Sequence, residues 1–228
     1  MFERIKFENY EEWKKLRNKG IGGSDAPIIL GLSQWKTNLD LWKEKTGVVV
    51  LEIEEKESDN EFIRYGKMAE DPLRRLFQAK MYGLIEVKTT DEVLVRKDKP
   101  YLRASLDAEL LVLQDFLFAS SDDRLVPLKQ GMKGIYEGKT KFRPKGNEWK
   151  SSIPMNYFCQ TIHYLLVTDF DFVIVNVELS YANSISVIKT FCFLKTEKID
   201  DMIYLESEED KFWGNVETKT EPSLKIDF

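Results

Sequence analysis

Histidine and cysteine are almost missing from this chain of 228 residues, which carries one histidine, His163, and two cysteines, Cys159 and Cys192. A single histidine excludes two-histidine metal sites and histidine-rich nuclease centres, and a histidine-dependent triad would have to rest on His163 alone. Two cysteines without a CxxC spacing give neither a zinc site nor the thiolates of an iron–sulfur cluster. Free thiols in a reducing cytosol are the simple reading. No run of about 18 apolar residues occurs, so no membrane span is expected. The opening "MFERIKFENYEEW" is charged and aromatic and lacks the apolar core of a secretion signal. Internal repeats and low-complexity linkers are absent as well. A metal held by such a chain would sit mainly on oxygen, which suits Mg²⁺ or Mn²⁺.

What is present is enough for one sizeable core: 43% of the residues are hydrophobic, and residues 1–228 are read as a single domain. The net charge of −5 argues weakly against nucleic acid. Its distribution is uneven, however. "KTKFRPKGNEWK" (139–150) carries five basic residues against one acid, and "LEIEEKESDNE" (51–61) six acids against one lysine. A local basic face is compatible with that pattern.

Periodicity gives the element order. "NYEEWKKLRNKG" reads as a short helix with Tyr10, Trp13 and Leu16 on one side and Gly20 closing it. Gly22 and Gly23 allow a tight turn, Ser24 can cap, and Ala26 to Leu30 begin a second helix with Pro27 in its first turn. "TNLDLWKEKTG" is a helix capped by Thr37 or Asn38 and stopped at Gly47. The acidic stretch after it reads as a solvated loop or the start of the next helix. In "NEFIRYGKMAEDPLRRLFQAKMYG", Phe62, Tyr65, Ala69, Leu73, Leu76 and Phe77 recur at helical spacing, and Pro72 predicts a kink or break. "LIEVKTTDEVLVRKD", "LRASLDAELLVLQD" and "GIYEGKTKF" alternate like strands. A helix ("IPMNYFCQTIHYLLVTD"), two more strands ("FDFVIVNVEL", "SVIKTFCFLK") and an amphipathic helix ("KIDDMIYLESEEDKFWGNVET") follow. This order predicts an α+β (mixed α/β) domain with a central mixed β-sheet flanked by helices. His163 is read as a structural helix residue, and Trp35 and Trp42 as packing residues.

Three acids stand out by context. In "GIYEGKT" (134–140), Ile135, Glu137 and Lys139 share one strand face. Asp107 is read as the end of the strand "YLRASLD". Glu70 lies on the long helix. Each alone has an ordinary explanation: an exposed ion pair, a turn former, a solvated helix residue. Together they describe an oxygen cage for one or two divalent ions beside a lysine.

In that combination and order the chain resembles the PD-(D/E)XK nuclease superfamily, and more narrowly the phage-type recombination exonucleases of the lambda exonuclease and YqaJ group. The likeness covers most of the first 170 residues. It runs through Trp13, Arg17, Ser24, Leu30 with Gly31, "LWKEKTG", "YGKMAEDPLRRLF" with Glu70, "ASLDAEL" with Asp107, "YEGKTKF", and "NYFCQTIHYLLVTD" with Gln160. The chain departs from the family pattern at four places. Leu106 stands for a proline, Ala108 for a glycine, Ile162 for a second glutamine and Asp169 for a helix-ending glycine. No catalytic position is lost.

The resemblance implies a PD-(D/E)XK restriction-endonuclease-like core and a Mg²⁺-dependent 5′-to-3′ exonuclease acting on double-stranded DNA ends. Such enzymes release mononucleotides and leave a 3′ overhang for a single-strand annealing protein, and the best-known members are homotrimeric rings. By matched position it implies Asp107, Glu137 and the Gly138 backbone carbonyl as metal ligands. Lys139 would position or activate the attacking water, Glu70 would serve a second metal or order that water, and Gln160 would assist. Arg17 and Ser24 would hold the 5′-phosphate, with Lys141, Arg143 and Lys145 lining a DNA channel or forming solvated loop charges. A bacterial or phage-infected host cytoplasm is the implied setting. A PD-(D/E)XK endonuclease and a catalytically silent DNA-binding protein on the same scaffold are the alternatives.

Overall fold

The structure, a computed structural model, describes residues 1–48, 61–181 and 185–225. The acidic stretch of the sequence lies almost wholly outside the described residues. The core is a five-stranded sheet in the order β10-β9-β8-β5-β2, formed by β2 (Ile85–Lys88), β5 (Ala108–Val112), β8 (Lys133–Phe142), β9 (Phe172–Ser180) and β10 (Ser186–Leu194). Only the β8–β9 pair is parallel; the others are antiparallel. β9 is buried at seven of its nine positions, as a central strand covered on both faces must be. The sheet is mixed and flanked by helices, as its sequence predicts.

Strand alternation sorts the core into two layers. Ile135, Val173, Val175 and Phe193 point toward α5 (Met155–Thr168), where Ile162, Leu165 and Leu166 meet them. Tyr136, Phe172, Ile174 and Cys192 point the other way, toward Phe77 of α4 (Glu61–Lys80) and the hairpin of β6 (Phe116–Ala119) and β7 (Leu125–Leu128). That hairpin occupies the long segment between Asp107 and Glu137. A closing helix α6 (Ile199–Glu217) packs behind α5 through the buried pair His163 Nδ1–Glu209 Oε1 at 2.7 Å, and His163 Nε2 faces the Arg103 carbonyl at 2.8 Å. His163 is therefore structural, as expected.

Several local expectations are corrected. Of the kink or break expected at Pro72, the break does not occur: helix α4 continues through it. Pro72 and Met68 both lie on its exposed side, so the Met68 carbonyl that loses its partner can face water. Only Leu73 and Phe77 of its apolar set are buried. Asp107 does not end a strand: the strand before it, β4 (Arg103–Ala104), belongs to another sheet with β1 (Phe2–Lys6) and β3 (Glu92–Arg96), and Asp107 directly precedes β5. β1 itself is too charged to show a strand pattern; its pairing with β3 fixes it. Trp35 is 95% exposed and packs nothing, whereas Trp42 is 6% exposed and donates its indole N–H to the Asn215 carbonyl. The helix that contains Trp42, α3 (Asn38–Thr46), is capped by Thr37 through a reciprocal bond with Asp40 and ends on left-handed Gly47.

Candidate active site

Strand β5 pairs with β8 only as far as Ala108 opposite Tyr136. Beyond that point β8 keeps β9 on one side and loses its neighbour on the other. The edge that opens carries the backbone of Gly138, whose N–H donates to Asp107 Oδ2 at 2.7 Å. In a strand the N–H and C=O of one residue point to the same edge, so the Gly138 carbonyl faces the same opening. Asp107 is thus held at the mouth of a gap in the sheet by the chain divergence that precedes β5.

Glu137 lies one residue earlier on the α5 face and is 1% exposed. Its Oε1 accepts from Lys139 Nζ and from Gln160 Nε2, the latter at 2.8 Å, while its buried Oε2 has no hydrogen-bond partner. Burial and the nearby Asp107 push the Glu137 carboxyl up to about 8. Burial also raises Asp107, and burial followed by Asp107 raises Glu70. Burial works against the Lys139 charge, yet Glu137 and Asp107 overcome it and hold the ammonium above its usual range. The cluster gathers three carboxyl groups where water serves them poorly, and the nearby cations do not bring them back to the ordinary range.

Glu70 on α4 is exposed yet lies close enough to influence Glu137, without a direct bond to it. Among the described residues no group of three or more His, Cys, Asp or Glu side chains closes into a metal cage. Two carboxylates with one orphaned buried oxygen, plus an open backbone carbonyl, nevertheless fit Mg²⁺. That ion is commonly bound by one or two carboxylates, with waters and substrate phosphates completing its octahedron.

The second half of the site is built by α1 (Tyr10–Asn18) and the turn after it. Trp13 and Arg17 are one helical turn apart; Trp13 is fixed by its indole bond to Ser105 Oγ at 2.8 Å, and the Arg17 guanidinium lies 5.2 Å from the Trp13 ring. Arg17 Nη2 donates to Ser24 Oγ. Ser24 is exposed within a 3₁₀ turn, Gly23–Asp25, that leads into the short helix α2 (Ala26–Ile29). Ser24 is not the cap: the Asp25 side chain accepts the Gly22 N–H at 3.0 Å. A Cβ on Gly23 would fall 2.4 Å from Tyr164 Cε1 and 3.1 Å from Gln160 Cγ. Only glycine lets this turn press against α5, and the contact couples the Arg17–Ser24 pair to Gln160. Tyr164, which shares the Gln160 amide at 2.7 Å, was missed in the sequence. Its spacing of four from Gln160 was the available signal.

Also unread in the sequence was the anchor beneath the turn. Asp25 pairs with Lys45 of α3 at 2.8 Å, with side chains 7% and 2% exposed. Burial opposes ionisation of Asp25, but Lys45, Arg17 and the Gly22 N–H hold it down at about 2. Lys141, Arg143 and Lys145 lie on the far end of β8 and the loop beyond. Lys141 pairs with Glu148 at 3.4 Å, and the Lys145 N–H also bonds Glu148. Both of these contacts run to Glu148 and not to the carboxylates of the site.

A mixed sheet that opens beside an E-x-K strand, with an acid at the start of the neighbouring strand, defines a PD-(D/E)XK-type core. The same fold occurs in the alkaline exonuclease of Laribacter hongkongensis. That structure matches 92% of this chain and 94% of its own at a TM-score of 0.60 and 13% identity, and the dAMP complex of that exonuclease matches at 0.61 and 15%. Residues 12–171 match the model of the YqaJ-like viral recombinase domain, and the chain belongs to that family. It is 36% identical over 156 residues to the uncharacterized protein YqaJ of Bacillus subtilis (strain 168), covering 68% of this chain and 41% of that protein. The chain thus spans about two fifths of the length of that relative.

Proposed function

We propose that this chain is a divalent-cation-dependent exonuclease that hydrolyses the 5′-terminated strand of double-stranded DNA ends and releases 5′-mononucleotides. The observation that carries this is the coupling of two features. Buried Glu137, with an unpartnered oxygen and Lys139 beside it, lies against Gln160 of α5, and the Arg17–Ser24 pair is pressed onto the same helix through Gly23. An anion seat at a fixed distance from a hydrolytic centre suits a reaction that counts from a chain end. The alkaline exonuclease fold and the family of viral recombinase domains support the same reading.

Asp107, Glu137 and the Gly138 carbonyl would hold Mg²⁺, with Mn²⁺ able to substitute. When bound, the cation supplies Lewis-acid charge at the phosphate and lowers the pKa of a water. Lys139 enters as an ammonium, because the acids around it hold its proton; it orients the nucleophile and stabilises developing negative charge. Gln160 fixes Glu137 Oε1, and Glu70 adds negative charge on the α4 side. Arg17 and Ser24 bind the 5′-phosphate as a charge-assisted pair. Lys141, Arg143 and Lys145 track the DNA backbone beyond the site. The chain acts as one nuclease domain in a bacterial or phage-infected cytoplasm, as a homotrimeric ring that hands a 3′ overhang to a single-strand annealing protein.

The test uses linear duplex DNA with a 5′-phosphate on one end and a 5′-hydroxyl on the other, beside a covalently closed circle. With Mg²⁺, mononucleotides are expected from the phosphorylated 5′ strand, an intact circle, and no product with Lys139→Ala. A nicked circle would point to an endonuclease. DNA binding with no Mg²⁺-dependent loss of either substrate would leave a silent scaffold.

A further inference from the structure

The proposed roles leave out an arginine beside the carboxylates. Helix α4 crosses β8 in a definite register. At one end a Cβ on Gly66 would lie 3.2 Å from Thr140 Oγ1, and at the other the Phe77 ring is 5.1 Å from that of Tyr136. The helix rises about 16 Å between those two contacts and the strand about 13 Å. The turn midway, from Glu70 to Arg74, therefore passes over Gly138, where Asp107 is docked. Glu70 and Arg74 are four apart and share a helix face.

The Arg74 side chain is 18% exposed, although its ion-pair partner Asp71 is 47% exposed and is divided between Arg74 and Arg75. Its charge acts on Asp107, on Glu70 and on the Tyr136 hydroxyl in the direction of a nearby cation. A guanidinium drawn this far out of water toward acids that it does not bond is not placed as a surface pair is. Its planar fork fits two oxygens of a phosphate.

We propose that Arg74 is a substrate-binding residue of the reaction centre, whose guanidinium grips the DNA phosphodiester from the α4 side, opposite Lys139, while Asp71 holds it when no DNA is bound. This rests on the nuclease reading above. Lys139 points to the α5 face of β8 and α4 covers the opposite face, so the two cations would flank one phosphate at the open edge of the sheet.

The experiment compares wild type, Arg74→Ala and Arg74→Lys as full chains on 5′-phosphorylated duplex. Turnover is measured at saturating and limiting DNA, from neutral to alkaline pH and over a range of Mg²⁺ concentrations, with thermal midpoints as a check on folding. A substrate contact predicts that Arg74→Ala loses about 100-fold in kcat/KM. The loss should be unchanged by pH or Mg²⁺ and partly restored in Arg74→Lys. A loss that disappears at high pH or high Mg²⁺ would mean that Arg74 only keeps Asp107 ionised, and would overturn the proposal. So would wild-type activity in a folded Arg74→Ala. If Arg74→Ala does not fold, Arg74→Lys decides: a lysine that keeps the charge but loses the fork should fall in kcat/KM, and full activity would overturn the proposal. A wild type without nuclease activity would instead defeat the functional reading on which this one stands.

Discussion

Among the described residues, two acid–lysine pairs built on a buried acid behave in opposite ways. Asp25 and Lys45 lock α3 beneath the 3₁₀ turn; Asp25 also receives the Gly22 N–H and is held down at about 2. Glu137 and Lys139 stand two residues apart on one strand. There a second acid, Asp107, crowds the pair, one Glu137 oxygen is unsatisfied, and the carboxyl is pushed up to about 8. The same two residue types give a finished structural bond in one place and an unfinished site in the other. The difference lies in the neighbours: a backbone donor and a second cation around Asp25, more carboxylate around Glu137. At Glu137 the unpartnered oxygen lies in the same cluster as Asp107 and the open Gly138 edge, and that combination fits a ligand of positive charge.

The largest effect that separates the two pairs is on activity. Glu137→Gln is expected to lose about 1000-fold or more in turnover yet to keep or gain thermal stability in the absence of divalent cation. Glutamine replaces a carboxyl that burial and Asp107 already push toward its neutral form, and Lys139 keeps Asp107 as a nearby acid. Asp25→Asn should do the reverse. It strands the Lys45 charge and costs about 3 kcal/mol of stability, read from denaturant unfolding, with a smaller effect on turnover. The pH dependence has opposite signs. Asp25 has a depressed folded-state pKa, so its stabilisation is complete above the unfolded value of 3.8 and is lost as pH falls toward about 2. The stability gap between wild type and Asp25→Asn should therefore narrow in acid. Glu137 has a raised folded-state pKa, so the cation-free fold binds its proton more tightly than the unfolded chain between 4.5 and about 8 and loses stability as pH rises through that window. Glu137→Gln should flatten that decline.

Two smaller effects test the coupling between the halves of the site. Gly23→Ala places a methyl carbon against the Tyr164 ring; a cost of about 1–3 kcal/mol is expected, with a rise in KM for 5′-phosphorylated ends. Arg17→Ala should leave the fold intact and lower the preference for 5′-phosphate over 5′-hydroxyl by about 10-fold, as the loss of one charge-assisted hydrogen bond implies. An unchanged preference would remove Arg17 from the phosphate site.

Much of the first pair's neighbourhood was hidden in the sequence, while the second was visible. Alternation alone puts Glu137 and Lys139 on one face of β8, and the capping of α3 by Thr37 and its stop at Gly47 follow from residue type. Asp25 and Lys45 are twenty positions apart on different elements, and no local period links them. Gly23 reads as a turn former; its need to be glycine comes from a ring on α5 that only the tertiary fold brings near. Pro72 does not break α4, because the Met68 carbonyl it leaves unpartnered lies on the exposed side and can face water. The position of Asp107 misled because β4 and β5 enter different sheets, a partition that a run of alternating residues does not record.

The central claim is that Glu137 is a cation ligand left incomplete, and the most direct measurement is the thermal midpoint of wild type, Glu137→Gln and Asp25→Asn with and without Mg²⁺, at pH 6 and at pH 8.5. The account predicts that Mg²⁺ raises the midpoint of wild type and Asp25→Asn, more strongly at pH 8.5 where the carboxyl is ionised, and leaves Glu137→Gln unmoved. An equal rise in Glu137→Gln, or none in wild type at either pH, would contradict it.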